Sequence, residues 1–188
     1  MIMDIQSFLL LQSFSADEAQ KIASVFKMES IHKGFKILEP DNRSKMVYFI
    51  AEGLTRSYYL KDGKDITHHF FLENTFTMPL ESIFYQQTSP YGLEALETVT
   101  LFSARYQDID ALAEIYPGLR KVINFLLIDI LKAFSNRLLA IQFQSAQERY
   151  KTIVNEQPDL LLRAPLGHIA SYIGITQQTL SVLRAQRW

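Results

Sequence analysis

Ile123, Leu127, Ile130, Phe134, Leu138 and Ile141 recur at intervals of four, three, four, four and three residues. That rhythm places all six on one stripe of a continuous helix about 25 residues long. Leu119, Val122, Leu126 and Leu131 widen the stripe. A helix this apolar is not stable in water with one side covered, so something must cover more than one face. The reading over residues 111–144 is a dimerisation helix, with Ile123, Leu127, Ile130, Phe134, Leu138 and Ile141 at the interface of a parallel, two-fold homodimer.

Before this helix, the texture is that of strands. A capping box, Ser15 with Glu18, opens a short helix carrying Ala19, Ile22, Ala23 and Phe26 at helical spacing. From Ile31 to about Tyr106 come short runs rich in Val, Ile, Phe, Tyr and Thr, cut by turn signals. Met46 to Ala51, Leu54 to Leu60, Ile66 to Leu72 and Val99 to Tyr106 read as strands. Asp62-Gly63 is a strong hairpin signal. Strands this short at this spacing predict an antiparallel sandwich or barrel over residues 1–110. Asp108 or Asp110 is read as a helix cap, and Glu94 with Glu97 as part of a solvated loop. His68 and His69 are adjacent in a strand and are expected on opposite faces, which argues against a shared metal ion.

After the long helix, Ser145 and Glu148 form a second capping box. Two short helices follow, about Leu166 to Ile173 and from Gln177 onward. Between them Gly174 suits a tight turn with positive φ, Ile175 plugs the angle, and Thr176 caps the second helix. Small Ala170 allows close approach, while Leu180 and Leu183 pack inward. This is the layout of a helix-turn-helix over residues 145–188, whose second helix enters the major groove of double-stranded DNA. Gln177, Gln178, Ser181 and Val182 face outward as base contacts, and glutamine can pair bidentately with adenine. Thr176, Lys151, Arg163, Arg184 and Arg187 are the phosphate contacts. The module carries a net charge of +2 within a chain of −1, a weak footing for phosphate binding that dimerisation doubles.

The runs YFIAEGLTRSYYLKDGKDIT and LGHIASYIGITQQTLSVLR resemble the Crp/Fnr superfamily of transcriptional regulators, the second more specifically than the first. The resemblance spans nearly all of the 188 residues, in the family's order. It implies an α+β fold: an antiparallel double-stranded β-helix (jelly-roll) barrel, a long dimerisation helix, and a C-terminal all-α helix-turn-helix domain. It also implies a cytoplasmic, non-enzymatic, homodimeric regulator. Family members usually carry arginine after Thr-Leu-Ser. Val182 stands there instead, and valine has no donor for guanine. The sequence ends at Trp188, so no β-wing is expected beyond the reading helix.

The family's cyclic-nucleotide pocket uses a Phe-Gly-Glu turn and a later arginine. Here the first site reads Phe76-Thr77-Met78-Pro79, and no arginine occurs from Ser57 to Ala104. A buried phosphate needs charge-assisted donors. The barrel is therefore expected to take an unidentified small-molecule effector, or none, and not cyclic AMP or cyclic GMP. No cofactor or metal is expected. Absence of cysteine excludes disulfides and thiolate metal sites, and no signal peptide or membrane span is read near Met1. No glycine-rich phosphate loop or nucleophile elbow is present, and a cupin-type enzyme would need histidines and a carboxylate facing one cavity. The competing reading is a ligand-binding or interaction module whose reading head has degenerated.

Overall fold

The computed structural model describes residues 3–185. Two short helices lead: α1 (Ile5–Leu11), capped by Asp4, and α2 (Ala16–Ala23), opened by the Ser15–Glu18 capping box. Eight strands follow, with a short helix among them: β1 (Lys27–Ile31), β2 (Lys36–Leu38), β3 (Met46–Glu52), β4 (Thr55–Lys61), β5 (Lys64–Phe71), β6 (Thr75–Thr77), α3 (Leu80–Phe84), β7 (Gly92–Ala95) and β8 (Val99–Arg105). They form two antiparallel four-stranded sheets, β1-β8-β3-β6 and β2-β7-β4-β5. The fold class is the α+β architecture expected.

β3 shows why the first sheet sits in the middle of the molecule. Val47 to Ala51 are all buried, so the strand reads as a continuous apolar run and not as an alternating one. Tyr48 and Ile50 point between the sheets, onto Leu93, Ala95, Val99 and Leu101. Val47, Phe49 and Ala51 point the other way, onto α1, α2 and the helices that follow the barrel.

Those helices are α4 (Tyr106–Ile115) and α5 (Pro117–Phe143). Neither Asp108 nor Asp110 caps α4. The helix starts one turn earlier, after Arg105, and has no side-chain cap; Asp108 lies in its first turn and Asp110 binds Arg120 at 2.7 Å. α5 is 27 residues long, close to the stripe's length. Then come α6 (Ala146–Glu156), capped by Ser145 and Glu148, α7 (Pro158–Arg163), α8 (Leu166–Ile173) and α9 (Gln177–Ala185).

The terminal helices share one core with the barrel. Leu160, Ile169, Ala170, Ile173 and Leu180 pack in the same cluster as Leu54, Phe70 and Leu96. α8 lies on β5, with Ser171 Oγ accepting from the Thr67 amide at 3.1 Å. Beneath it Arg56 is 1% exposed. Its guanidinium donates to Glu94 at 2.8 Å, Asp65 at 2.6 Å and Thr67 at 3.0 Å. Glu94 is thus a strand residue tied to an arginine, not a solvated loop residue. Five donors in a planar fork suit this three-way site, and a lysine cannot match it. Arg56→Met takes the arginine from Asp65 and Thr67 and leaves Glu94 only Lys36, at 2.9 Å. It should lower unfolding stability by about 3 kcal/mol, the lower end for a broken buried pair, because Asp65 is partly wet. Arg56→Lys should recover less than half of that in urea titrations.

Candidate nucleic-acid interface and effector cavity

α8 ends at Gly174, which takes φ +77°. The Ile175 amide donates back to Ala170 O at 3.0 Å, a Schellman-type closure that only a left-handed residue permits. Thr176 Oγ1 accepts from the Thr179 amide at 3.1 Å, capping α9 as expected. Leu180 is fully buried and anchors the inner face of α9. Arg149 of α6 braces the turn, donating from Nε to Ile173 O at 2.9 Å.

The outer face of α9 carries Gln177, Gln178, Ser181, Val182 and Arg184, all exposed. They are not equivalent. Gln177 lies against α8: its Oε1 would stand 3.2 Å from a Cβ at Gly167, so it rests where α8 has no side chain. Ser181 Oγ donates to Gln177 O at 3.0 Å. Gln178 and Val182 project from the helix, and Val182 is 61% exposed. Lys151 is exposed on α6. Arg187 lies outside the described residues.

Arg163 departs from its expected place. It donates to Glu73 at 2.6 and 3.1 Å and also to Glu97, from the barrel side of α7. Charge-assisted bonds to two carboxylates fill its fork and raise its pKa. It ties the terminal helices to the barrel, with four of its five N–H donors committed there. Glu97 likewise belongs to this clamp and not to a solvated loop.

The stripe on α5 also divides differently. Ile123 packs in the barrel-side core, and Ile130 and Phe134 line a cavity against the barrel. Leu138 and Ile141 are exposed, as are Phe125, Ile128, Leu131, Leu139 and Phe143. The exposed apolar face is therefore rotated about a third of a turn from the predicted stripe. A helix apolar over two faces has no unique stripe, and the barrel claims the first part of the one that spacing picks out, through Ile123, Ile130 and Phe134.

The cavity measures about 520 Å3 and lies between the barrel and α5. The segment that stands at the family's Phe-Gly-Glu turn, Phe76 to Pro79, lines it, as do Ser89 and Tyr91 to Leu93. None of its lining residues is a lysine or arginine. His68 and His69 both line it, so the expectation of opposite faces is overturned. The cause is a bulge: Ser57 pairs with His69 but Tyr58 pairs with Thr67, leaving His68 as the extra residue. His68 stacks on Tyr91 with ring centres 4.1 Å apart, and His69 meets Phe134 edge-on at 5.8 Å. Among the described residues, no group of three or more His, Cys, Asp or Glu could hold a metal.

Sequence reasoning missed Arg137, which reaches this wall from α5. It lies over the Tyr172 ring at 4.4 Å and donates from Nη2 to Tyr172 O at 3.2 Å. The signal was available: Arg137 follows Ala133 and Phe134 by four and three, a basic residue on the face that meets the barrel.

Burial, then the charge of Arg137, lowers His68 and His69 from 6.5 to about 4. Both rings are neutral in the fold at neutral pH and take up protons on unfolding between about pH 4 and about pH 6.5. Their stabilising contribution is full above pH 6.5 and is lost as pH falls through the window. Unfolding free energy should thus fall with pH there, by at most about 1.4 kcal/mol per pH unit for each histidine. Replacing both by Asn should flatten the slope in urea titrations across the window. A slope unchanged in the double variant would show that other groups carry it.

No family model and no curated protein matches the sequence. Solved structures do match. FixK2 from Bradyrhizobium japonicum aligns with a TM-score of 0.75 at 21% identity, over 86% of this chain and 84% of that one. A CooA mutant from Carboxydothermus hydrogenoformans gives 0.72 at 18%, over 98% and 84%. The catabolite activator protein of Thermus thermophilus gives 0.60 at 18%, over 93% and 84%. Likeness at these identities assigns the fold, which is that of the Crp/Fnr regulators. No helix among the described residues is long and apolar enough to cross a membrane.

Proposed function

We propose that the chain is a homodimeric, cytoplasmic, DNA-binding transcriptional regulator whose barrel senses a small molecule other than cyclic AMP or cyclic GMP. The observation that carries the reading is the left-handed turn at Gly174 and the Thr176 cap, which deliver α9 to the surface with Gln178 and Val182 outermost. A helix pair that only completed a core would have no need of an uncovered, capped second helix. A structural neighbour named as a transcriptional regulator of the Crp/Fnr family supports the same reading.

Base reading falls chiefly to Gln178, which suits adenine, and to Val182, whose methyls suit the thymine methyl. Gln177 and Ser181 reach the groove only by giving up their contacts with α8 and with the helix backbone. Thr176, Arg184, Lys151 and Arg187 are the phosphate contacts. Two heads on a two-fold axis should select a pseudo-palindrome leaning to A·T, with half-sites about 34 Å apart. Gln178→Ala should cost about 1–3 kcal/mol and relax one position of the site. Arg184→Ala should weaken every sequence alike and flatten the salt dependence. Selection from random DNA followed by anisotropy titrations checks this. If no motif is enriched and binding stays weak and uniform, the head is a relic and the ligand-binding reading takes over.

The exposed apolar face of α5 supports the dimer. Phe125, Ile128, Leu131, Leu138 and Leu139 are each at least 50% exposed, and leaving them in water invites association. Each is worth about 1.5–3 kcal/mol when buried. Ile128→Glu with Leu131→Glu should convert a sedimenting dimer into a folded monomer. Phe134→Glu should instead disturb the barrel, because Phe134 faces the cavity. A dimer that survives the Ile128 and Leu131 pair of changes would place the interface elsewhere.

A further inference from the structure

Three buried side-chain atoms among the described residues lack a hydrogen-bond partner, and two of them belong to one wall: Nδ1 of His69 and Nη1 of Arg137. His69 lines the cavity, and Arg137 stands behind it on Tyr172, which His69 also meets at 6.3 Å. Arg56 and Arg163 each close on two carboxylates. The groups whose charge acts on Arg137 are three phenols, of Tyr172, Tyr59 and Tyr91, and no carboxylate is among them. A buried guanidinium with a dry nitrogen and no counter-ion is costly unless something arrives to satisfy it.

We infer that His69 and Arg137 form the head-group site for a small carboxylic acid with an aromatic body, bound in the cavity between the barrel and α5. The inference rests on the sensor reading of the barrel and names its ligand class. One Nη1–H and one imidazole N–H match the two oxygens of a carboxylate. A cyclic phosphodiester, with more oxygens and a ribose to satisfy, finds too few donors. The body of the ligand is set by the remaining wall: Leu38, Phe71, Phe134 and the stacked His68–Tyr91 pair offer apolar and ring surfaces. The cavity's acidic groups are Glu81 and the exposed Asp129, and neither is among the charges acting on Arg137. A volume of about 520 Å3 suits a one- or two-ring acid.

The site also touches the reading head. Arg137 holds the Tyr172 carbonyl in the last turn of α8, two residues before Gly174. An anion that draws the guanidinium toward the cavity loads that contact directly, so occupancy is felt where the turn begins.

The test uses the full chain without DNA, so its outcome is independent of whether the head reads sequence. Calorimetric titrations with benzoate, cinnamate and 1-naphthoate are set against their amides, which keep the ring and lose the charge. At least one acid should bind about tenfold or more tightly than its amide. Arg137→Gln should remove that preference. His69→Asn, which keeps Arg137 on Tyr172 and so serves if the first variant is unstable, should reduce it. Equal affinity for acid and amide, no binding by any of the three acids, or a preference that survives in both variants would overturn the proposal.

Discussion

One extra residue in β5 sets how the two halves of the molecule meet. Without the bulge, strict alternation would put Thr67, His69 and Phe71 on one face. With it, Thr67 and Phe70 both turn outward, opposite Tyr58 and Arg56, while His68, His69 and Phe71 turn inward. The outward set is what α8 lands on: Thr67 donates to Ser171, and Phe70 meets Tyr172 with ring centres 5.1 Å apart. The inward set forms the cavity wall. Docking of the terminal helices and the lining of the cavity are thus two sides of the same eight-residue strand.

Three buried or half-buried arginines hold this junction, and their environments separate their roles. Arg56 is desolvated, yet its bonds to Asp65 and Glu94 outweigh that cost and raise its pKa. Arg163 is raised as well, by Glu97 and Glu73. Such closed networks fix one geometry and have little left to offer a ligand. Arg137 is lowered, because burial outweighs the opposing electrostatic pull of Tyr172, Tyr59 and Tyr91. The arginine that is left unsatisfied is the one beside the cavity.

Local signals in the sequence carried most of the architecture. Capping boxes at Ser15 and Ser145, the Asp62-Gly63 hairpin and the Gly174 turn each specify backbone over a few residues, and each stands where it was expected. What local signals cannot carry is choice among partners. The bulge at His68 leaves no mark in composition, since nothing about two adjacent histidines says which one the strand opposite will skip. Glu94 and Glu97 read as solvated because a carboxylate is usually wet. Only the fold brings Arg56 and Arg163, 38 and 66 residues away, to meet them. The stripe on α5 divides for a related reason: periodicity finds an apolar face, and a helix with two such faces needs its neighbours to say which part is inside.

The two faces of α5 serve different ends, and their arrangement bears on how a signal could pass. One face packs on the barrel through Ile123, Ile130 and Phe134, and the other leaves Ile128 and Leu131 exposed. Arg137 belongs to the barrel face, one turn beyond Phe134, and binds α8. A rigid rotation of α5 about its axis therefore cannot leave any of the three contacts alone. It moves the cavity wall, the exposed apolar residues and the Tyr172 carbonyl together, and packed interfaces of this kind tend to settle in discrete arrangements instead of deforming continuously. Occupancy of the cavity, the orientation of the exposed apolar face of α5 and the seating of α8 then share one coordinate. A ligand biases that coordinate only by as much as its affinity differs between arrangements. The buried, unsatisfied guanidinium is where that difference can be large.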